Sequence, residues 1–339
     1  MNQQAGPVKR PSQFPPGFRP DVLPRMDLLD ELLQRAHRFR ITAVTAPPGS
    51  GKTHLMRLLA NMLLRTRPVY VITGWPQDGL QGGWEDYLIS QTGYDGNYWL
   101  SYKAYLLLDE AHQTFWDRHL YEEFLAKIQP KSEPCVILFA SHGLEPANGD
   151  LDHIQSFPPT GEGIGFYWDI PPFPCRSVGL LLRRYEADDI ISRYHFARVS
   201  RAPTDEMKDG FFQCTSGHVG MILAILDTLF YRRGFLHLPD TSFNWRTVIE
   251  LLFVDLPALF RTIHDEFGIR KTLSLPHSDE IATASELLDQ AVASDGLYLA
   301  SLDPDSKKIL TLVWRYGWLL PQKTTRGVRF VFASPIHWW

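Results

Sequence analysis

Residues 46–53 read Ala46-Pro47-Pro48-Gly49-Ser50-Gly51-Lys52-Thr53, the types and spacing of a loop that holds phosphate. Glycines at 49 and 51 let successive backbone N–H groups turn inward on phosphate oxygens, and a helix starting behind them adds positive potential. Lys52 has the reach for a β- and γ-phosphate, and the Thr53 hydroxyl is placed to ligate Mg²⁺. The octapeptide fits the Walker A pattern with alanine in place of its first glycine. Ala46, Pro47, Pro48, Gly49, Ser50, Gly51, Lys52, Thr53 and His54 are therefore the expected nucleotide-binding residues.

Such a loop needs a metal-holding acid, and Tyr105-Leu-Leu-Leu-Asp109-Glu110 supplies one at the end of an apolar run. Asp109 is expected to hold Mg²⁺, directly or through water, and Glu110 to polarise an attacking water as general base. The plainer reading, a strand that merely ends in two acids, is disfavoured by the order and separation of the two motifs. A second apolar run ends at Phe139-Ala140-Ser141-His142. In a phosphate-loop fold the strand beside the acidic one carries a polar sensor of the γ-phosphate. Ser141 is that candidate, with His142 in reserve.

The elements that must position these residues alternate along the chain. Apolar stretches predict strands at 39–46, 68–73, 104–109 and 135–140, with a fifth at 164–170. A helical pattern at 25–36 precedes them and others at 52–65, 83–92 and 113–128 fall between them, which argues for a parallel sheet covered on both faces. A Gly-, Pro- and Asp-rich loop follows at 143–163. Beyond Pro171-Pro172-Phe-Pro174 the alternation gives way to helices, over 180–196 and 221–231. Helices near 245–265, 282–294 and 306–316 precede a β-hairpin around the polar turn of 318–333. The expected fold class is α/β: a three-layer P-loop NTPase core with a parallel sheet, then a helical lid and a winged-helix-like domain. The expected boundaries are a Pro-rich disordered leader over 1–23, the core over 24–174, the lid over 175–238 and the winged helix over 239–339.

Composition narrows the partners. A chain of 339 residues with 44% hydrophobic and 21% charged residues has ample core for two or three domains. A net charge of −4 provides no basic field for nucleic acid. Three scattered cysteines, Cys135, Cys175 and Cys214, suit neither a disulfide framework nor a zinc site. No signal-peptide core opens the chain, and the longest apolar runs are interrupted by Asp227, Glu250, Asp255 and Pro257. An intracellular protein without a membrane span is expected. His112 and His119 are seven residues apart but have no third ligand at useful spacing, so a metal reading is set aside. Trp75, Trp84, Tyr87 and Trp99 have almost no Lys or Arg between them, so they are expected to pack a core or meet a partner rather than stack bases.

Together these features resemble the additional-strand class of P-loop ATPases, the AAA+ and STAND lineages, over about 25–335. Pro24-Arg25-Met-Asp27-Leu-Leu29 resembles the Arg-x-x-acidic-Leu-Leu motif of STAND proteins, which implies that Arg25 lies near the adenine. Thr215-Ser-Gly217-His218-Val219-Gly220 is similar to the Gly-x-Pro motif of the STAND lid, with valine where the family has proline. Arg329-Phe-Val-Phe-Ala-Ser-Pro335-Ile-His337 is similar to the ending of fungal and oomycete Crinkler-like ATPases. The resemblance implies Mg²⁺-dependent ATP hydrolysis driving a conformational switch in a signalling or effector protein. Arg176, Arg183 or Arg184 would serve as the γ-phosphate arginine. Binding of ATP and ADP, and of a protein partner or a second copy, is expected. Three other readings stay open: a slow or non-hydrolysing nucleotide-dependent interaction module, an Orc/Cdc6-like DNA-binding ATPase using the basic turn Lys323–Arg329, and a small-molecule kinase.

Overall fold

Four short strands form the centre of the fold: β1 (Ile41–Thr45), β2 (Val69–Thr73), β3 (Tyr105–Asp109) and β4 (Cys135–Ala140). The computed structural model describes residues 23, 25–76, 83–141, 180–196, 202–232, 244–253, 278–315 and 318–332. The strands pair in parallel in the order β1-β4-β3-β2, with Thr45 beside Ala140 and Thr73 beside Asp109. One strand, β4, thus separates the strand leading to the phosphate loop from the strand ending in the acidic pair. All six residues of β4 and all five of β3 are buried, as continuous apolar runs covered on both faces must be.

Strand alternation distributes those side chains. Ile41, Ala43, Tyr70, Ile72, Leu106, Leu108, Val136 and Leu138 form one cluster with Trp84, Leu88, Trp99 and Phe124. Trp84 and Leu88 come from α3 (Gly83–Thr92), and Trp99 from α4 (Gly96–Ser101). Helices α1 (Met26–Phe39) and α2 (Lys52–Leu63) contact β1, β3 and β4, leaving Val44, Leu107, Ile137 and Phe139 for that side. Trp84 stacks on Phe124 and Trp75 meets Tyr87 edge-on, so the aromatic segment packs core.

The helix expected over 113–128 is not continuous. A 3-10 turn over Ala111–Thr114 is followed by a π-type turn over Leu120–Phe124 and another 3-10 turn over Leu125–Lys127. Asp117 causes the break. Its carboxylate accepts the Leu120 N–H at 3.1 Å and the Trp75 indole N–H at 3.2 Å, which caps a new turn where a straight helix would have continued. Helix α4 was also unforeseen. It is started by Asp95, whose side chain accepts the Tyr98 N–H at 2.7 Å.

The chain divides into two compact units. Among the described residues, 25–46 and 52–141 form the first; 23, 47–51 and all from 180 onward form the second. The second contains α5 (Arg184–Phe196), α6 (Asp205–Thr215), α7 (Val219–Asp227) and α8 (Trp245–Phe253). Ile191, Met207, Phe211, Ile222, Ile225 and Val248 join in their shared core. The helix over 180–196 starts four residues later than expected, and a π-type turn over Thr228–Arg232 extends α7. Helix α6 lies inside the stretch 175–238 expected to be helical, between the two helices placed at 180–196 and 221–231.

Farther along are α9 (Ser278–Ala293), β5 (Leu297–Tyr298), α10 (Pro304–Arg315) and the expected hairpin, β6 (Leu319–Thr324) with β7 (Gly327–Phe332). The sheet has a third member, because β5 pairs antiparallel with β7. The strand expected at 164–170, the loop at 143–163, the leader before residue 23, and His142, Cys175, Arg176 and 333–339 lie outside the described residues. So do residues 254–265 of the stretch expected as a helix over 245–265.

Candidate functional site

β1 leads directly into the phosphate loop, which the chain can form only because of its glycines. Gly49 has φ 74° and Gly51 φ 92°, left-handed conformations that a side chain would strain. The Ser50 N–H donates to the Pro47 carbonyl at 3.3 Å, closing the turn, and Lys52 then opens α2. The Lys52 side chain is buried, and its ammonium donates to the Ala46 carbonyl at 2.8 Å. Thr53 and an exposed His54 lie in the first turn of α2, where backbone N–H groups have no intrahelical acceptor.

β3 delivers the acids. Asp109 is only 7% exposed; its Oδ2 accepts the Thr53 hydroxyl at 2.8 Å and its Oδ1 accepts the Glu110 N–H at 3.1 Å. Residues 56 positions apart are thus joined by one hydrogen bond. Glu110 turns out of the strand in a left-handed conformation, φ 51° and ψ 37°, and its side chain stays 44% exposed. The pair of oxygens from Thr53 and Asp109 could hold Mg²⁺, which takes hard oxygen ligands and usually needs only one or two from protein. Among the described residues, no cluster of three or more His, Cys, Asp or Glu side chains is placed to bind a metal ion.

β4 ends at Ser141, which is 7% exposed. Its hydroxyl, like that of Ser50, is buried with no hydrogen-bond partner among the described residues. Buried hydroxyls seldom go unsatisfied, so both fit a polar occupant such as phosphate. The Ser141 N–H donates to His112 Nδ1 at 3.4 Å, and His112 Nε2 lies 3.4 Å from Glu110 Oε2. The ring thus touches both candidate catalytic positions. From sequence, His112 was considered as a metal ligand and set aside without a role at this site; its position two residues after Glu110 was the available signal.

This topology has a solved counterpart. A Walker-type ATPase of Pyrococcus abyssi superposes with a TM-score of 0.53 at 14% identity, over 94% of this chain and 96% of that one. The chain has the P-loop NTPase fold. A STAND protein with a tetratricopeptide-repeat sensor from Pyrococcus horikoshii aligns at TM-score 0.37 and 14% identity, over 90% of this chain and 40% of that one. Domain III of the replication initiator DnaA from Thermotoga maritima aligns at 0.41 and 14%, over 70% of this chain and 98% of that one. No protein-family model and no curated protein matches the sequence.

Arg25 is the N-cap residue of α1, where its carbonyl accepts the N–H groups of Leu28 and Leu29 at 3.1 Å each. Arg184 is held by Asp188 at 2.9 Å and by Asp209, which commits its guanidinium within the helices. Arg183 donates to the Tyr185 hydroxyl at 3.1 Å.

The Gly217–Gly220 motif forms a tight turn between α6 and α7. Ser216 and Gly217 are both left-handed, at φ 49° and 79°, which ends α6 as such residues usually do. A Cβ on Gly217 would come within 2.3 Å of the Leu182 carbonyl oxygen, so no other residue fits. Val219 is the first residue of α7, a position that accepts proline readily, so the departure from the STAND pattern leaves the turn intact. In the same compact unit, the Gly220 N–H donates to the Gly49 carbonyl of the phosphate loop at 3.0 Å.

Proposed function

We propose that this protein binds Mg·ATP at residues 46–54 and hydrolyses it as an ATPase of the STAND/AAA+ kind. The observation that carries the reading is the Thr53–Asp109 hydrogen bond with Glu110 beside it: a metal-holding pair next to a half-exposed carboxylate. Loop N–H groups and Lys52 would hold the phosphates, and Thr53 and Asp109 would hold Mg²⁺, which when bound would supply neutralisation of phosphate charge. Glu110 takes the proton of the attacking water. Ser141, buried and with an unsatisfied hydroxyl, reads the γ-phosphate. Arg25 borders the base.

In this reading the core spans 24–174, the helical lid 175–238 and a winged-helix-like domain 239–339. The helix–strand–helix–hairpin order of 278–332 supports the last assignment. Nucleotide state changes the contacts made by the lid, which is how a switch signals to a protein partner or a second copy. No helix among the described residues is long and apolar enough to cross a membrane, which is compatible with an intracellular location. A DNA-contacting wing is disfavoured, because Arg329 is taken up by Gln322 at 2.8 Å and Asp295 at 3.4 Å.

The test is ATP turnover by purified protein with Mg²⁺, beside Glu110→Gln. Turnover lost in the variant with nucleotide binding retained supports the reading. Tight binding without wild-type turnover replaces it with a nucleotide-dependent interaction module.

A further inference from the structure

We propose that His112 is a positioning residue: it aims the Glu110 carboxylate and couples it to the backbone of Ser141 at the end of β4. What Glu110 does for the reaction rests on the ATPase reading above; the coupling itself rests on geometry.

The Glu110 side chain is 44% exposed, whereas the His112 ring is only 6% exposed. A half-solvated carboxylate on a flexible stem samples many rotamers, so a fixed neighbour decides which ones count. The ring is fixed at its far edge, where Nδ1 accepts the Ser141 N–H. That acceptor role leaves the proton of a neutral imidazole on Nε2, the nitrogen 3.4 Å from Glu110 Oε2. This separation is long for a hydrogen bond, as catalytic contacts often are before substrate tightens them.

The turn that carries the ring is itself tied down. Gln113 Oε1 accepts the Trp75 N–H just beyond β2 at 3.3 Å, and the Thr114 hydroxyl donates to the Ala111 carbonyl at 2.7 Å. The Ala111–Thr114 turn therefore bridges the ends of β2 and β4 while continuing directly from β3. The Ser141 hydroxyl is buried without a partner among the described residues, on the same residue whose N–H the ring accepts. An oxyanion that engages this hydroxyl would shift the Ser141 backbone, then the ring, then the carboxylate. The sensing residue and the base would respond as one unit.

The experiment compares His112→Ala, His112→Asn and His112→Gln. Asn keeps an acceptor for the Ser141 N–H but lacks reach to Glu110; Gln extends an amide donor toward it. The Ala and Asn variants should lose roughly tenfold or more in kcat, part of the 10²–10⁴-fold that a placed base supplies, with KM and ADP affinity within about twofold of wild type. Gln should recover most of the loss, and Ala added to Glu110→Gln should cost nothing further. Independently of turnover, ¹⁵N NMR of histidine-labelled protein should find the neutral His112 ring protonated at Nε2, with that resonance moved by Glu110→Gln.

Unchanged kcat in the Ala variant, a loss that follows ADP affinity or thermal stability, or full rescue by Asn would overturn the proposal. So would a ring protonated at Nδ1. A wild type that binds nucleotide without turnover would refute the ATPase reading alone. The NMR result would then still decide whether the ring couples the two residues.

Discussion

Gly220→Ala tests whether the start of α7 sets the shape of the phosphate loop. A Cβ at 220 would lie 2.5 Å from the Gly49 carbonyl oxygen and 3.1 Å from both the Gly49 carbonyl carbon and Cα. The obstacle is backbone, so no side-chain rotation relieves it. Overpacking of this kind costs about 1–3 kcal/mol, and stretching the 3.0 Å Gly220–Gly49 hydrogen bond forfeits up to about 1 kcal/mol more. Alanine returns at most about 1 kcal/mol through helix propensity. The net penalty is about 1–3 kcal/mol, shared between global stability and displacement of the loop. If half of it falls on the loop, ATP and ADP affinity drops roughly two- to twelvefold, with thermal unfolding a few degrees lower. Calorimetric titration with Mg·ADP and a melting curve measure the two shares. A Gly220→Ala variant that matches wild type in both, or that melts earlier with affinity untouched, would show that α7 does not shape the loop.

Gly210→Ala is the matching control. Its Cβ would enter the Trp245 ring at 2.1–2.4 Å, so denaturant unfolding should report a loss of about 1–2 kcal/mol after helix propensity is counted, with nucleotide affinity unchanged. Thr53→Val removes the hydroxyl bonded to Asp109; nucleotide affinity measured with Mg²⁺ should fall to the value measured in EDTA. Trp99→Ala empties a fully buried site whose indole N–H donates to the Thr92 hydroxyl at 3.1 Å, and should cost about 3–5 kcal/mol by urea unfolding. The His119–Glu123 pair gives a small pH-dependent contribution. A hydrogen bond to Glu123 raises the His119 pKa above 6.5, and the same bond lowers that of Glu123 below 4.5. The histidine's contribution is complete below 6.5 and lost as pH rises through its raised folded value; the glutamate's is complete above 4.5 and lost as pH falls through its lowered one. His119→Gln should flatten the upper slope in melting curves taken across that range.

The parallel sheet was legible because its strands are uninterrupted apolar runs: the stretch predicted at 135–140 is the observed β4, and that at 104–109 begins one residue before β3. The Thr53–Asp109 junction was legible because both motifs fix the side chains that face it. Less visible were features set by distant partners. Asp117 breaks the helix expected over 113–128 partly by binding the indole of Trp75, 42 residues earlier, and no local pattern announces that bond. The two-residue strand β5 is too short for any periodicity, and pairing with β7 alone defines it. His112 was visible but weighed as a metal ligand, since its neighbour Ser141 is brought to it only by the sheet.

Glu110 occupies a backbone conformation that suits glycine, at φ 51°. Holding a side chain there costs about 1 kcal/mol or more, so this residue is kept against the preference of its own chain. Selection for thermal endurance alone would replace it with glycine or asparagine and discard the carboxylate in doing so. If Glu110 is the base proposed above, heat resistance and catalysis compete at a single position, and any effort to harden this protein has to exempt it.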